Sequence, residues 1–280
     1  MAAVRAVSIL ALAAIWSSSQ AAYAQGRAYV ANFGSDNVSV IDTSNNTVIA
    51  TVMVGTQPQG IAVTPDGASV YVANCGGDVW VIDTASNKVA TKFLAGACPT
   101  GVAITPDGTR AYVTLDNANS VAVIDTSSNT VITKIPVGIA PGGIAITPDG
   151  TRVYVANVGT GSSSVSVIDT SSNTVGATVA LGNVGSVGVA ITPDGKRAYV
   201  TNALGSVSVI DTSTNTVVDT VTVANVGDSP VGVAVTPGWN ASLCGDLRPQ
   251  RYGAHRGDGY VNQYDLQYGE RRHRAHWGGH

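Results

Sequence analysis

The sequence predicts an all-β fold, a β-propeller of four-stranded antiparallel blades, and three observations predict it. The segment from Thr147 to Asn157, TPDGTRVYVAN, recurs as TPDGASVYVAN from Thr64, TPDGTRAYVTL from Thr105 and TPDGKRAYVTN from Thr192, and RAYVAN from Arg27 repeats its second half. The shared tyrosines Tyr29, Tyr71, Tyr112, Tyr154 and Tyr199 lie 42, 41, 42 and 45 residues apart. Each period also holds four short apolar runs separated by turn residues. A period of about 40 to 45 residues with four strands in each unit is the pattern of propeller blades.

The unit from Pro58 to Ala95 shows why each element forms. Gln59 to Val63 is a short apolar run, Val70 to Asn74 alternates, Val79 to Asp83 follows a Gly-Gly-Asp loop, and Lys88 to Leu94 follows a Thr-Ala-Ser-Asn turn. These runs read as antiparallel strands A to D. Pro65-Asp66-Gly67 supplies a fixed φ and then a residue tolerant of positive φ, which suits a tight A to B hairpin. The Asp-Thr-Ser-Asn pieces between C and D carry side chains that bond to their own backbone.

Antiparallel order puts the A to B and C to D turns at one end of every blade and the B to C and D to A loops at the other. The first end repeats almost unchanged. The second varies: Phe33 to Asn37, Cys75 to Asp78, Leu115 to Asn119, Val158 to Ser164 and Ala203 to Gly205 differ in length and composition. A binding face is expected there.

The chain divides into residues 1–24, 25–237 and 238–280. The first piece has Arg5 as a positive start, Val7 to Trp16 as an apolar run and Ala22-Tyr23-Ala24 before Gln25, the features of a secretory signal peptide. Its apolar run is too short for a membrane span of about 20 residues. A periplasmic, secreted or cell-surface location is expected. The second piece opens with strands B, C and D only and ends on a lone A strand, Val231 to Pro237. Closure of the ring is expected through pairing of that strand with the first sheet, which would give a monomer without free sheet edges.

The third piece holds all four His, the only Glu and six of the fifteen Lys plus Arg, with no trace of the repeat. Codons chosen for Pro237 to Asp246 as CCG GGA TGG AAC GCG TCT CTA TGT GGC GAC yield DGTRLYVAT when read one base later after the proline. Tyr264 to Gly279 yields TTSNTVSAVTVPTGVG in the same way, close to DTSSNTVGATV from Asp169. The tail is therefore expected to be out of frame and disordered, and Cys244 an accidental thiol. About five blades are legible, with six or seven expected from an intact frame.

The YVAN, YVTL and YVTN runs, each followed by VSVIDT or its like and mostly preceded by GIAVTPDG or its like, resemble the YVTN family of β-propeller repeats over Arg27 to Pro237. The resemblance implies an exported protein, often seven-bladed and mostly without assigned chemistry. Similar propellers also serve as lactonases and as subunits of redox enzymes such as quinoprotein dehydrogenases, so an enzymatic alternative stands beside a non-enzymatic binding or scaffold role.

His and Glu are absent from the repeated region, which removes the commonest general base and zinc ligand and any Ser-His-Asp arrangement. No catalytic residue, cofactor or metal is indicated. Asp66, Asp107, Asp149 and Asp194 in the turns, and Asp42, Asp83, Asp125, Asp169 and Asp211 at the ends of strand C, recur once per blade and read as structural. Asp36, Asp78, Asp116 and Asp228 break that pattern on the varied face and, with Trp80, are the ligand-face candidates; Trp80 stands where other blades have Ser or Ala. Cys75 and Cys98 fall at the same end on adjacent blades and are expected to form a disulfide. Fourteen Asp against nine Lys and Arg give no basic stripe for nucleic acid. The expected partner is an envelope protein or glycan. Sequencing the DNA across the codons for Pro237 and Gly238 should reveal further repeats in the next frame, whereas a closed frame would make the tail genuine.

Overall fold

The computed structural model describes residues 26–159, 163–182, 185–223 and 230–236. The leader-like residues 1–24, Asp228 and the whole out-of-pattern tail lie outside them. The described chain is a row of five antiparallel sheets, each one propeller blade. Blade one has three strands, β1 (Arg27–Asn32), β2 (Asn37–Asp42) and β3 (Thr47–Met53). Blade two has β4 (Pro58–Val63), β5 (Ser69–Asn74), β6 (Asp78–Asp83) and β7 (Lys88–Leu94). Blade three has β8 (Pro99–Ile104), β9 (Arg110–Leu115), β10 (Ser120–Asp125) and β11 (Thr130–Pro136), with a 3-10 turn at Asp116–Ala118. Blade four has β12 (Pro141–Ile146), β13 (Arg152–Asn157), β14 (Ser163–Asp169) and β15 (Thr174–Gly182), and blade five has β16 (Ser186–Ile191), β17 (Arg197–Asn202), β18 (Ser206–Asp211) and β19 (Thr216–Thr222).

The turns at the repeated end are locked by one set of bonds. The Thr64 hydroxyl donates to the Asp66 carboxylate at 2.5 Å and accepts from the Ser69 N–H at 3.0 Å, and Thr105, Thr147 and Thr192 repeat this in their blades. Thr84 at the end of strand C donates to the Gly67 carbonyl at 2.7 Å, as Thr126, Thr170 and Thr212 do to Gly108, Gly150 and Gly195. The two turns of a blade are thereby clamped together. Asn87, Asn129, Asn173 and Asn215 each close the C to D turn with φ between 52° and 55°, a left-handed conformation that Asn tolerates better than most side chains.

Adjacent blades are joined by a directional seam. Tyr71, Tyr112 and Tyr154 donate their phenol hydrogens to Asn129, Asn173 and Asn215 of the next blade at 2.5, 2.9 and 2.6 Å. Arg27 and Arg110 reach the Thr84 and Thr170 carbonyls at 2.5 and 2.8 Å, and Arg152 reaches that of Thr212. Burial pushes the Tyr71 phenol up to about 12, which keeps it a donor at any ordinary pH. Apolar clusters fill the same seams: Tyr29, Val38, Val70 and Val72 between blades one and two, and Tyr154, Val165, Val189 and Val200 between blades four and five. The core is thus spread between blades rather than gathered in one centre.

The expected closure is not formed among the described residues. β1 pairs with β2 alone. Residues 230–236 instead lie against β17, where the Thr201 hydroxyl donates to the Val231 carbonyl at 3.2 Å and Val233 and Val235 pack on Tyr199, Val207 and Val209. Thr114 makes the equivalent bond to Gly142 at 2.8 Å. Residues 230–236 therefore take an inner position one seam beyond blade five, and no pairing between them and β1 forms among the described residues.

Two predictions follow from these bonds. Tyr154→Phe removes one seam hydrogen bond and should cost about 1 kcal/mol, read as a lower urea midpoint with an unchanged slope. The carboxyls of Asp42, Asp83, Asp125 and Asp169 sit below the usual range because serine hydroxyls and backbone N–H groups donate to them. Asp211 falls to about 2 through the Ser213 hydroxyl and N–H, aided by Arg197. Their contribution is complete above the ordinary value of 3.8 and is lost as pH falls below it, for Asp211 through about 2. Calorimetry should show that loss, with a shallower slope for Asp211→Asn.

Candidate functional site

The end opposite the locked turns is assembled from loops that share a backbone plan and differ in side chains. Gln57, Cys98 and Ala140 each take φ between 49° and 53° just before an inner strand, and their carbonyls accept the Cys75, Asp116 and Val158 N–H groups at 3.0 to 3.1 Å. Each D to A loop is thus tied to the B to C loop of the blade it enters or leaves. On that frame the side chains are free to vary.

The sequence candidates fall into different settings. The Asp36 carboxylate accepts the Gln57 N–H at 2.8 Å; Asn119 and Ser163 do the same for Ala140 and Gly185. Asp36 is therefore a loop brace shared by several blades. Asp116 opens the 3-10 turn, and its N–H is held by the Cys98 carbonyl. Asp78 accepts the Trp80 indole N–H at 2.8 Å, so these two candidates are brought together. Among the described residues no group of three His, Cys, Asp or Glu side chains forms a metal site.

Trp80 lies partly buried on the cluster between blades one and two, with the Lys92 ammonium 4.7 Å from its ring centroid. Its presence changes the local polar chemistry. Asn157 and Asn202 donate their amides to paired serines, Ser164 with Ser166 and Ser206 with Ser208, at 2.9 to 3.1 Å. Blade two has Asp78 and Trp80 at those two positions, so Asn74 donates to the Val72 and Asp78 carbonyls instead. The Asn74 Oδ1 is buried without a donor, as those of Asn157 and Asn202 are, and blade two adds the Asp78 Oδ1 to them. Cys75 and Cys98 are joined as a disulfide across the loops that flank this spot.

Large exposed apolar side chains also mark this end: Phe33, Met53, Leu94, Ile139 and Leu204, with Leu94 80% exposed. Their loops were legible as varied, but the exposure of these side chains was not. It depends on which side of each strand end faces solvent. A small cavity at the opposite end, about 220 Å³ between blades two and three, is lined by Thr64, Asp66, Tyr71, Asp107 and Thr126, groups already bonded within the turns and seam.

No family model matches the sequence, and no curated protein is similar to it. Solved structures are similar. A chain of Kuenenia stuttgartiensis hydrazine synthase superposes with a TM-score of 0.71 at 27% identity, over 76% of this chain and 68% of that one. A functionally unknown protein from Desulfotomaculum acetoxidans superposes with a TM-score of 0.66 at 20% identity, over 76% of this chain and 70% of that one. Both agree with the propeller-like blades described above.

The disulfide closes a loop of 23 residues, for which about 3 kcal/mol of stabilisation is expected. Cys75→Ser with Cys98→Ser should lower the thermal midpoint without altering the β-sheet circular dichroism, and the unreduced parent should take up no thiol reagent at either position.

Proposed function

We propose that this is an exported, non-enzymatic member of the YVTN-type propellers that uses its varied end to bind a protein or glycan of the cell envelope. The observation that carries the reading is the contrast between the two ends. One end spends its polar groups on repeated internal bonds. The other presents non-repeating loops with exposed Phe33, Leu94, Ile139 and Leu204, and scattered loops on a rigid scaffold that expose apolar groups together are typical of recognition surfaces. Export is supported by the leader-like residues 1–24.

A second reading is favoured by one comparison. The likeness to a hydrazine synthase chain at 27% identity suits a propeller that works inside an enzyme assembly. No His or Glu occurs between residues 25 and 237, so on this reading the propeller would position other components rather than act as a general base itself.

Co-sedimentation with isolated envelope polysaccharide and with envelope protein fractions tests the proposal. Leu94→Asp with Ile139→Asp should cut retention at least tenfold while the thermal midpoint holds, and Ser127→Ala at the locked end should leave retention unchanged. Equal retention of all three proteins, or none by the parent, would sink it.

A further inference from the structure

Blade two breaks the seam at one position. Strand B begins on an arginine in the other four blades, Arg27, Arg110, Arg152 and Arg197, but on Ser69 in blade two. Three of those arginines cross to the C to D turn of the next blade, where Arg27, Arg110 and Arg152 donate to the carbonyls of Thr84, Thr170 and Thr212. The counterpart between blades two and three is the Thr126 carbonyl, which among the described residues receives only the Tyr71 hydroxyl, at 3.3 Å. The Thr212 carbonyl takes Tyr154, at 3.4 Å, and Arg152 together, as the two lone pairs of a carbonyl allow. One place at Thr126 is open.

The cavity of about 220 Å³ lies at this place, with Ser69, Tyr71, Thr126, Asp66 and Asp107 in its lining. Its volume is about seven times the share of a water molecule in the liquid. Both carboxylates face it without a cation. Asp66 and Asp107 commit Oδ1 to their own turns, to Thr64 with Ala68 and to Thr105 with Thr109, and the one ion pair among the described residues joins Arg197 to Asp211 elsewhere. Burial raises the phenols of Tyr71, Tyr112 and Tyr154, but Arg110 and Arg152 draw the last two back, whereas Asp125 and Asp66 push Tyr71 further, to about 12. This seam lacks the positive charge that its neighbours hold.

We propose that the cavity between blades two and three binds a guanidinium group, from an arginine side chain of another protein or from a free guanidino compound, in the place that Ser69 leaves open. The three internal arginines supply the pattern for the ligand. A guanidinium is planar and presents five donors in a fixed fork, enough for the Thr126 carbonyl and for the remaining oxygens of Asp66 and Asp107. An ammonium brings the charge without the fork. The site lies at the end away from the varied loops and does not rest on their binding role.

Methylguanidine titrated into the full chain at low ionic strength should shift the amide signals of Ser69 and Ser127 saturably, and methylammonium should bind at least threefold more weakly. Ser69→Arg fills the place with the protein's own guanidinium, so it should raise the thermal midpoint and cut the affinity for methylguanidine at least tenfold. Asp107→Asn keeps an oxygen for the turn and removes one charge; it should weaken binding severalfold and serves as the second test if Ser69→Arg does not fold. Acetylarginine amide bound at least threefold more tightly than methylguanidine assigns the site to a protein side chain, and equal affinity assigns it to a free guanidino compound. Shifts that do not saturate, equal binding of methylammonium, or undiminished methylguanidine binding by folded Ser69→Arg or by Asp107→Asn overturns the proposal.

Discussion

The backbone-to-backbone approach of the inner strands sets the terms for the rest of the molecule. A Cβ on Gly143 would stand 2.5 Å from the Val187 carbonyl, and one on Gly188 would stand 2.5 Å from that of Val231. Only glycine admits such contact, and overpacking there costs on the order of 1 to 3 kcal/mol. Because the inner strands crowd together, the blades fan outwards from them, and each inner strand carries an extra residue at this place, seen as the register shift between Pro58 and Ile61 and its counterparts. The bulge bends the strand where crowding is greatest.

Fanning divides the labour between the two ends. At the repeated end the C to D turn of each blade comes within reach of the strand B of the blade before it, so one tyrosine-to-asparagine bond serves three seams, while in the first Arg27 reaches Asn87 in its place. That end has little freedom left, since altering one turn breaks bonds within a blade and between two. At the other end the loops meet mainly through backbone bonds from Cys75, Asp116 and Val158, which are indifferent to side chain. Variation in the repeats is tolerated there, and most ligand specificity is expected to collect on the same face.

Trp80 shows how one exception propagates. It takes the place of a serine that would have received the strand B asparagine, so Asn74 turns to carbonyls, and Asp78 spends one oxygen on the indole. Lys92 then covers the ring. The disulfide from Cys75 to Cys98 lies in the loops beside this rearranged corner.

Much of this was determined by the sequence alone. Strand order, turn positions and the separation into a repeated and a varied end all follow from local patterns, period-two alternation and Pro-Asp-Gly or Asp-Thr-Ser-Asn turns, and observed strands begin within one residue of those expected in the unit from Pro58 to Ala95. The repeated Asn of the C to D turn was legible as a turn residue. Its second duty, accepting a tyrosine from the preceding blade about 58 to 61 residues away in sequence, was not, because sequence does not state which blade lies beside which. Asp36 looked like a loose acid and is a brace, since its partner Gln57 belongs to a different loop. The absence of closure was likewise decided in three dimensions. Residues 230–236 carry the pattern of an inner strand in any arrangement, but only the structure shows them seated beside Gly188 and Thr201 with no pairing to β1 among the described residues.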